Sequence, residues 1–144
     1  MVCRFEGAMG MEQDSLKIDI YMETTYLLLR LGFQARQMGY RYLRESIMLV
    51  YHDPEALSVT KFVYPDVARK FHTLDTQVEG AIRNAVETAW ERGDREALES
   101  VFGELCNRDI RPTNTEVIEI LVEKVRQRIE EKYGNGSIQD EGIL

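Results

Sequence analysis

The sequence predicts an all-α domain of about six helices, and three observations predict it. Apolar residues recur at spacings of three and four along most of the 144 residues, and no alternating pattern of strand type persists. Only three prolines occur, Pro54, Pro65 and Pro112, so long uninterrupted helices are permitted. A composition of 44% hydrophobic and 30% charged residues supplies enough apolar surface for one packed core, which excludes wholesale disorder.

The elements follow in order. Residues 1–15 read as an N-terminal extension or linker remnant. From about Leu16, the apolar residues Ile20, Leu27, Leu28 and Leu31 fit a helix that stops at Gly32. A second helix runs from near Met38 to His52, with Leu43, Ile47 and Val50 as its stripe. Asp53-Pro54 breaks it, because proline disfavours the helical conformation at the residue before it. A short helix follows near residues 58–64, and Pro65-Asp66 suits either the first turn of a new helix or a kink within a run to Lys70. The next helix spans 75–92, with Val78, Ala81, Ile82, Ala85 and Ala89 on one face. Gly93-Asp94 ends it and caps a short helix through Phe102. Thr113-Asn114-Thr115-Glu116 reads as a capping box, in which hydroxyl and carboxylate each satisfy an orphan backbone N–H. It opens a last helix with the stripe Val117, Leu121, Val125 and Ile129. Residues 134–144 read as a flexible C-terminal tail.

Residues 67–86, VARKFHTLDTQVEGAIRNAV, carry the spacing of a helix-turn-helix. The first helix needs a small residue where the second crosses it closely, and Ala68 supplies one. Four residues later the turn calls for positive φ; His72 stands there, and histidine is enriched in that conformation. Ten residues after Ala68 an apolar side chain must point back between the helices, and Val78 does so. Thr73 is placed to cap the second helix, and Asp75 in its first turn favours the helix dipole. The outward residues are then Thr76, Gln77, Glu79, Gly80 and Arg83. Glutamine can read adenine, glutamate can accept from cytosine N4, and arginine can reach guanine or phosphate. An ordinary helical hairpin with a solvated face is the plainer reading of the same pattern.

The whole chain carries a net charge of −7, which argues against a bulk nucleic-acid coat protein or a polybasic membrane binder. No apolar run approaches the about 20 residues of a membrane span, and no secretory signal opens the chain. Cys3 and Cys106, neither with a CxxC neighbour, read as reduced thiols of a cytoplasmic protein. His52 and His72 are not at metal spacing, and no catalytic or phosphate-cradle motif occurs. The sequence therefore implies no enzyme, no metal, no cofactor and no small-molecule substrate.

Four separated segments extend the argument. GYRYLRESIMLVY (39–51), TKFVYPDVARKF (60–71), VEGAIRNAVETAWERG (78–93) and RPTNTEVI (111–118) occur in this order. Together they resemble the C-terminal effector domain of the master sporulation response regulator of endospore-forming Firmicutes. The resemblance covers about residues 16–133. It implies a six-helix transcription-regulating domain that reads double-stranded promoter DNA with the helix at 75–92, two copies binding in tandem. It also implies an N-terminal phosphoacceptor receiver domain, which residues 1–15 cannot hold.

The chain departs from the family pattern on the reading helix. Members resembling it carry arginines where this chain has Gln77 and Gly80, whereas Glu79 and Arg83 match. Two lost arginines remove two guanine contacts, each worth about 1–3 kcal/mol of discrimination. Residues 60–93 hold five basic and five acidic side chains, so the motif is no basic patch, although it is the least acidic third of the chain. Weak, salt-sensitive binding is the expectation.

The candidate base readers are thus Gln77, Glu79, Gly80 and Arg83. Thr60, Lys61, His72, Thr73 and Thr76 are the candidate phosphate contacts. Thr60 and Lys61 start the short helix before the motif, where a hydroxyl and an amine suit a phosphate; a cap and a surface lysine is the plainer reading of the pair, and the family resemblance favours phosphate. Trp90, Phe102 and Tyr64 read as core residues. Arg126, Arg128 and Lys132, interleaved with glutamates, read as a mixed-charge face, either wet or docking a second copy. The alternative function is an interaction module whose DNA surface has decayed, pairing with itself or with an intact regulator.

Overall fold

The computed structural model describes the backbone of residues 2–57, 59–107 and 111–143, and the side chains of residues 14–56, 61–106 and 111–134. Six α-helices form, with no strand among the described residues. Helix α1 (Val2–Leu31) begins earlier than the apolar spacing from Leu16 indicates. It buries Ile20, Leu27, Leu28 and Leu31, and it ends where Gly32 takes φ +101°. That left-handed residue turns the chain against Gly93: a Cβ on Gly32 would overlap the Gly93 Cα and lie 3.0 Å from the Asp94 nitrogen. The Asp94 N–H donates to the Leu31 carbonyl at 3.1 Å, so the end of α1 is tied to a loop more than sixty residues away.

Helix α2 (Met38–His52) is central, with Leu43 and Ile47 fully buried and Val50 nearly so. Each such burial contributes about 1.5–3 kcal/mol. Asp53 ends it, and a 3₁₀ turn (Pro54–Leu57) follows. A π-helical turn (Val59–Val63) then leads without a break into helix α3 (Tyr64–Lys70): Val63 is already right-handed helical, and Pro65 stands in the first turn of α3. Helix α4 (Asp75–Arg92) buries Val78, Ile82, Ala85, Val86 and Ala89; Ala81 is only half-buried. Asp94 caps helix α5 (Arg95–Phe102), accepting from the Ala97 N–H at 3.0 Å. A 3₁₀ turn (Gly103–Asn107) follows.

Helix α6 (Asn114–Ile143) starts with the capping box the sequence encodes. The Glu116 N–H donates to Thr113 Oγ1 at 3.2 Å, and the Thr113 N–H to Glu116 Oε1 at 3.0 Å. Val117, Leu121, Val125 and Ile129 are buried, and so are Ile118 and Val122 on the flank of that stripe. The backbone stays helical to Ile143, past Gly134 where the sequence reads a tail.

The packing hinges on close approach of α2 and α4. Gly39 has no room for a side chain: a Cβ there would overlap the Ala81 carbonyl oxygen and lie 2.8 Å from the Ala85 Cβ. The two buried hydroxyls, Thr24 and Ser46, donate to the carbonyls of Ile20 and Tyr42 one turn back, both at 2.7 Å, so neither is left unsatisfied. Trp90 meets Phe102 edge to face at 4.8 Å between ring centroids, and Phe102 and Tyr64 are buried. Phe102 and Tyr64 are core residues, as their place in the sequence suggests, whereas Trp90 is partly buried and packs against the core from its edge.

On the mixed-charge face of α6 the glutamates Glu123, Glu130 and Glu131 are exposed, while the three cations find partners within the chain. Arg128 Nε donates to Glu23 Oε2 at 2.6 Å, and Lys132 pairs with Asp19 at 3.3 Å. Arg126 lies over the Tyr51 ring and donates to the Tyr51 carbonyl at 3.2 Å. These cations fasten α6 to α1 and α2. No helix among the described residues is long and apolar enough to cross a membrane.

Candidate nucleic-acid interface

Helices α3 and α4 meet as the helix-turn-helix spacing requires. His72 takes φ +55°, and it is the one non-glycine residue with positive φ among the described residues. A left-handed residue costs roughly 1–2 kcal/mol unless its side chain suits the region, so the turn holds this conformation for a structural reason. The reason is the tight exit from α3. The Thr73 N–H donates back to the Ala68 carbonyl at 2.9 Å, closing α3, and the chain then leaves in extended form through Leu74. Val78 is fully buried and Ala68 nearly so, which places both in the angle between the helices.

One local expectation is corrected here. Thr73 does not cap α4. Leu74 occupies the N-cap position and provides no side-chain acceptor. With its N–H committed to α3, Thr73 stands one residue too early, and its hydroxyl donates to Gln77 Oε1 at 2.7 Å instead. Asp75 does sit in the first turn, favouring the dipole of α4.

Because Val78, Ile82, Ala85 and Ala89 face the core, Thr76, Gly80 and Arg83 line the opposite face of α4, with Gln77 and Glu79 on its two sides. Thr76, Gln77 and Arg83 are exposed, and Glu79 and Gly80 are half-buried. Gly80 forms a notch in this row: a Cβ built there would meet only Arg83 Nη2, at 3.8 Å. His72 is exposed beside the start of the helix and Thr73 half-buried. Lys61 is exposed within the π-helical turn that opens the first helix of the motif; the Thr60 side chain lies outside the described residues, as does that of Cys3.

The charges are mostly paired. Arg83 Nη1 lies 2.8 Å from Glu79 Oε1. Lys70 pairs with Glu45 at 2.8 Å, and Arg69 with Asp66. Among the described residues, Lys61 and Arg92 have no ion-pair partner. The motif therefore offers phosphate only a few unpaired cations, consistent with its balanced charge.

The sequence reading missed the support along one flank of α4. Asn114, the first residue of α6, donates through Nδ2 to the Tyr64 hydroxyl at 2.9 Å and to the Glu79 carbonyl at 3.1 Å. Arg111 reaches Glu87 at 3.1 Å and Glu91 at 3.7 Å. Burial pushes the Tyr64 phenol above its usual value; the Asn114 hydrogen bond opposes that shift, and the Glu79 charge adds to it. The only hint in the sequence was that Asn114 lies inside the capping box, at a position where the cap itself does not require asparagine.

Among the described residues no group of three or more histidines, cysteines and carboxylates is arranged to hold a metal ion. Buried Cys106 carries a free thiol. A turn of positive φ, a buried residue in its angle and an exposed row on the following helix suit insertion into the major groove of a duplex. The model of a known family, described as sporulation initiation factor Spo0A C terminal, matches residues 24–125, which include the whole helix-turn-helix and the start of α6. That family is a DNA-binding effector domain of transcription regulation and not an enzyme class. Matched over more than two thirds of its length, the chain belongs to the Spo0A C-terminal family of DNA-binding domains.

Proposed function

We propose that this chain is a sequence-specific transcription regulator of the sporulation type, acting in the cytoplasm, whose base-reading surface is shifted from that of its relatives. The observation that carries the reading is the exposed row on α4, presented by the left-handed turn at His72. In this reading Gln77, Glu79 and Arg83 meet base edges, and Gly80 leaves room for the edge itself. His72, Thr73, Thr76, Lys61 and Thr60 contact phosphates and set the register. Glutamine and glycine stand where the resemblance puts arginines, so the preferred element differs from the family's and leans on an adenine contact from Gln77. Two copies in tandem on one duplex would offset the small number of free cations by joint binding.

The test is selection from a labelled random duplex pool at about 50 mM salt, where backbone contacts are strongest. A defined element should emerge. Gln77→Ala should change the sequence preference. Lys61→Ala should weaken all sequences alike and flatten the salt dependence. If neither substitution alters binding, this assignment of residues is wrong.

A second reading is favoured by the ion pairs that occupy Arg69, Lys70 and Arg83. With net charge −7 the chain would then act as an interaction module, pairing with itself or with an intact regulator. A stable hetero-complex formed without DNA, combined with no duplex binding at low salt, would support this reading over the first.

A further inference from the structure

The geometry points to Asn114 as the positioning residue that sets the pitch of the reading helix on DNA. This rests on the DNA-reading role proposed above. A single side-chain amide has two N–H groups, and the partners of Asn114 Nδ2 lie in both halves of the helix-turn-helix. The Tyr64 hydroxyl, at 2.9 Å, belongs to the first residue of α3, and the Glu79 carbonyl, at 3.1 Å, to α4. The amide itself is held firmly, because the next turns of α6 bury Val117, Ile118 and Leu121 completely.

The position of this link decides its role. A helical carbonyl already accepts from the N–H four residues on, so the Glu79 carbonyl gains a second donor from outside the helix. Glu79 and Arg83, two of the candidate readers, hang from this turn. Further along, Arg111 makes only exposed ion pairs with Glu87 and Glu91, which hold α4 weakly. The segment 111–114 therefore grips α4 chiefly beside its reading turns, through Asn114. Base readout demands placement within about 0.5 Å, whereas phosphate contacts by long side chains tolerate more. Removing the grip at Glu79 should thus cost discrimination before it costs affinity.

The experiment measures, for each variant, the ratio of affinity for the selected element to affinity for a scrambled duplex of equal length at the same salt. Thermal unfolding is recorded in parallel. Asn114→Ala should lower the ratio about tenfold, with affinity for the scrambled duplex kept within about twofold. Tyr64→Phe removes one partner and leaves the Glu79 link, so the ratio should fall by a smaller factor, about threefold. If Asn114→Ala fails to fold, Asn114→Asp takes its place. An acid in the first turn of α6 favours the helix dipole, and its charge weakens both duplexes alike and so cancels in the ratio. A lower Tm with an unchanged ratio in both variants would make Asn114 a structural residue only and overturn this inference alone. Failure of the unmodified protein to select any element would overturn the DNA-reading role and this inference together.

Discussion

Arg83 Nη1 lies 2.8 Å from Glu79 Oε1, one turn earlier on α4, so the two charged candidates for base reading are partners before any DNA arrives. Both side chains are about half exposed, at 59% and 45%, which limits the pair to about 0.2–1 kcal/mol. It can open on binding at small cost. Glu79→Gln keeps a polar group of the same shape and removes the charge nearest Arg83. Its affinity for a random duplex at about 50 mM salt should rise severalfold, and its preference at one base pair should relax by about 1–3 kcal/mol. Fluorescence anisotropy on matched and mismatched duplexes separates the two effects. No change in either would show that this turn does not face DNA.

Gly80 is the one glycine within α4, and the space above it is open to 3.8 Å. Nothing in the fold requires glycine there. Gly80→Ala should therefore stabilise the domain by up to about 1 kcal/mol through helix propensity, raising Tm by a few degrees. Gly80→Arg should in addition raise DNA affinity and add a preference for guanine at one position, worth about 1–3 kcal/mol of discrimination. A calorimetric scan and binding to matched and mismatched duplexes test the two halves. Destabilisation by alanine would mean that the notch is needed for packing.

Gly39 is the opposite case. It lies in the first turn of α2, where a Cβ would overlap the Ala81 carbonyl oxygen and crowd the Ala85 Cβ at 2.8 Å. The obstruction is mainly backbone, so it cannot swing aside, and α2 would have to back away from α4. Gly39→Ala should cost about 3 kcal/mol, at the upper end for overpacking, and lower the urea midpoint without changing the slope greatly. Because α4 moves with it, DNA discrimination should also fall in whatever fraction remains folded.

What was legible in the sequence was what local spacing encodes. Leu43, Ile47 and Val50 announce α2 by their period, and Val117 to Ile129 announce α6. Ala68, His72 and Val78 announce the turn because each obeys a constraint set within ten residues. The first contact that spacing misjudged is also local: Thr73 fits the cap by type, but its N–H is drawn back to Ala68. The rest depends on residues far apart in the chain. Asn114 meets Tyr64 across 50 positions, and Arg128 meets Glu23 across 105. No period within either segment registers such a partner, so the grip on α4 and the fastening of α6 to α1 emerge only in three dimensions.

Tyr64 links the packing to alkaline stability. Its ring is buried, and burial lifts the phenol above the usual 10.0, because the phenolate would lose hydration between Glu79 and the core. The folded protein therefore holds this proton more tightly than the unfolded chain. The associated stability is fully present below pH 10 and is lost as pH rises through the folded value, with a slope of at most about 1.36 kcal/mol per pH unit for one group. At pH 8, Tyr64→Phe should be the less stable form by about 0.5–1.5 kcal/mol, because Asn114 loses an acceptor. Above pH 10 the unmodified protein should decline faster, so the difference narrows and then closes. Tyr51, also raised chiefly by burial, remains in the variant and leaves it a residual decline. Urea midpoints at pH 8, 10 and 11 measure this directly. Parallel pH profiles in the two proteins would mean that the Tyr64 phenol is not held neutral by the fold.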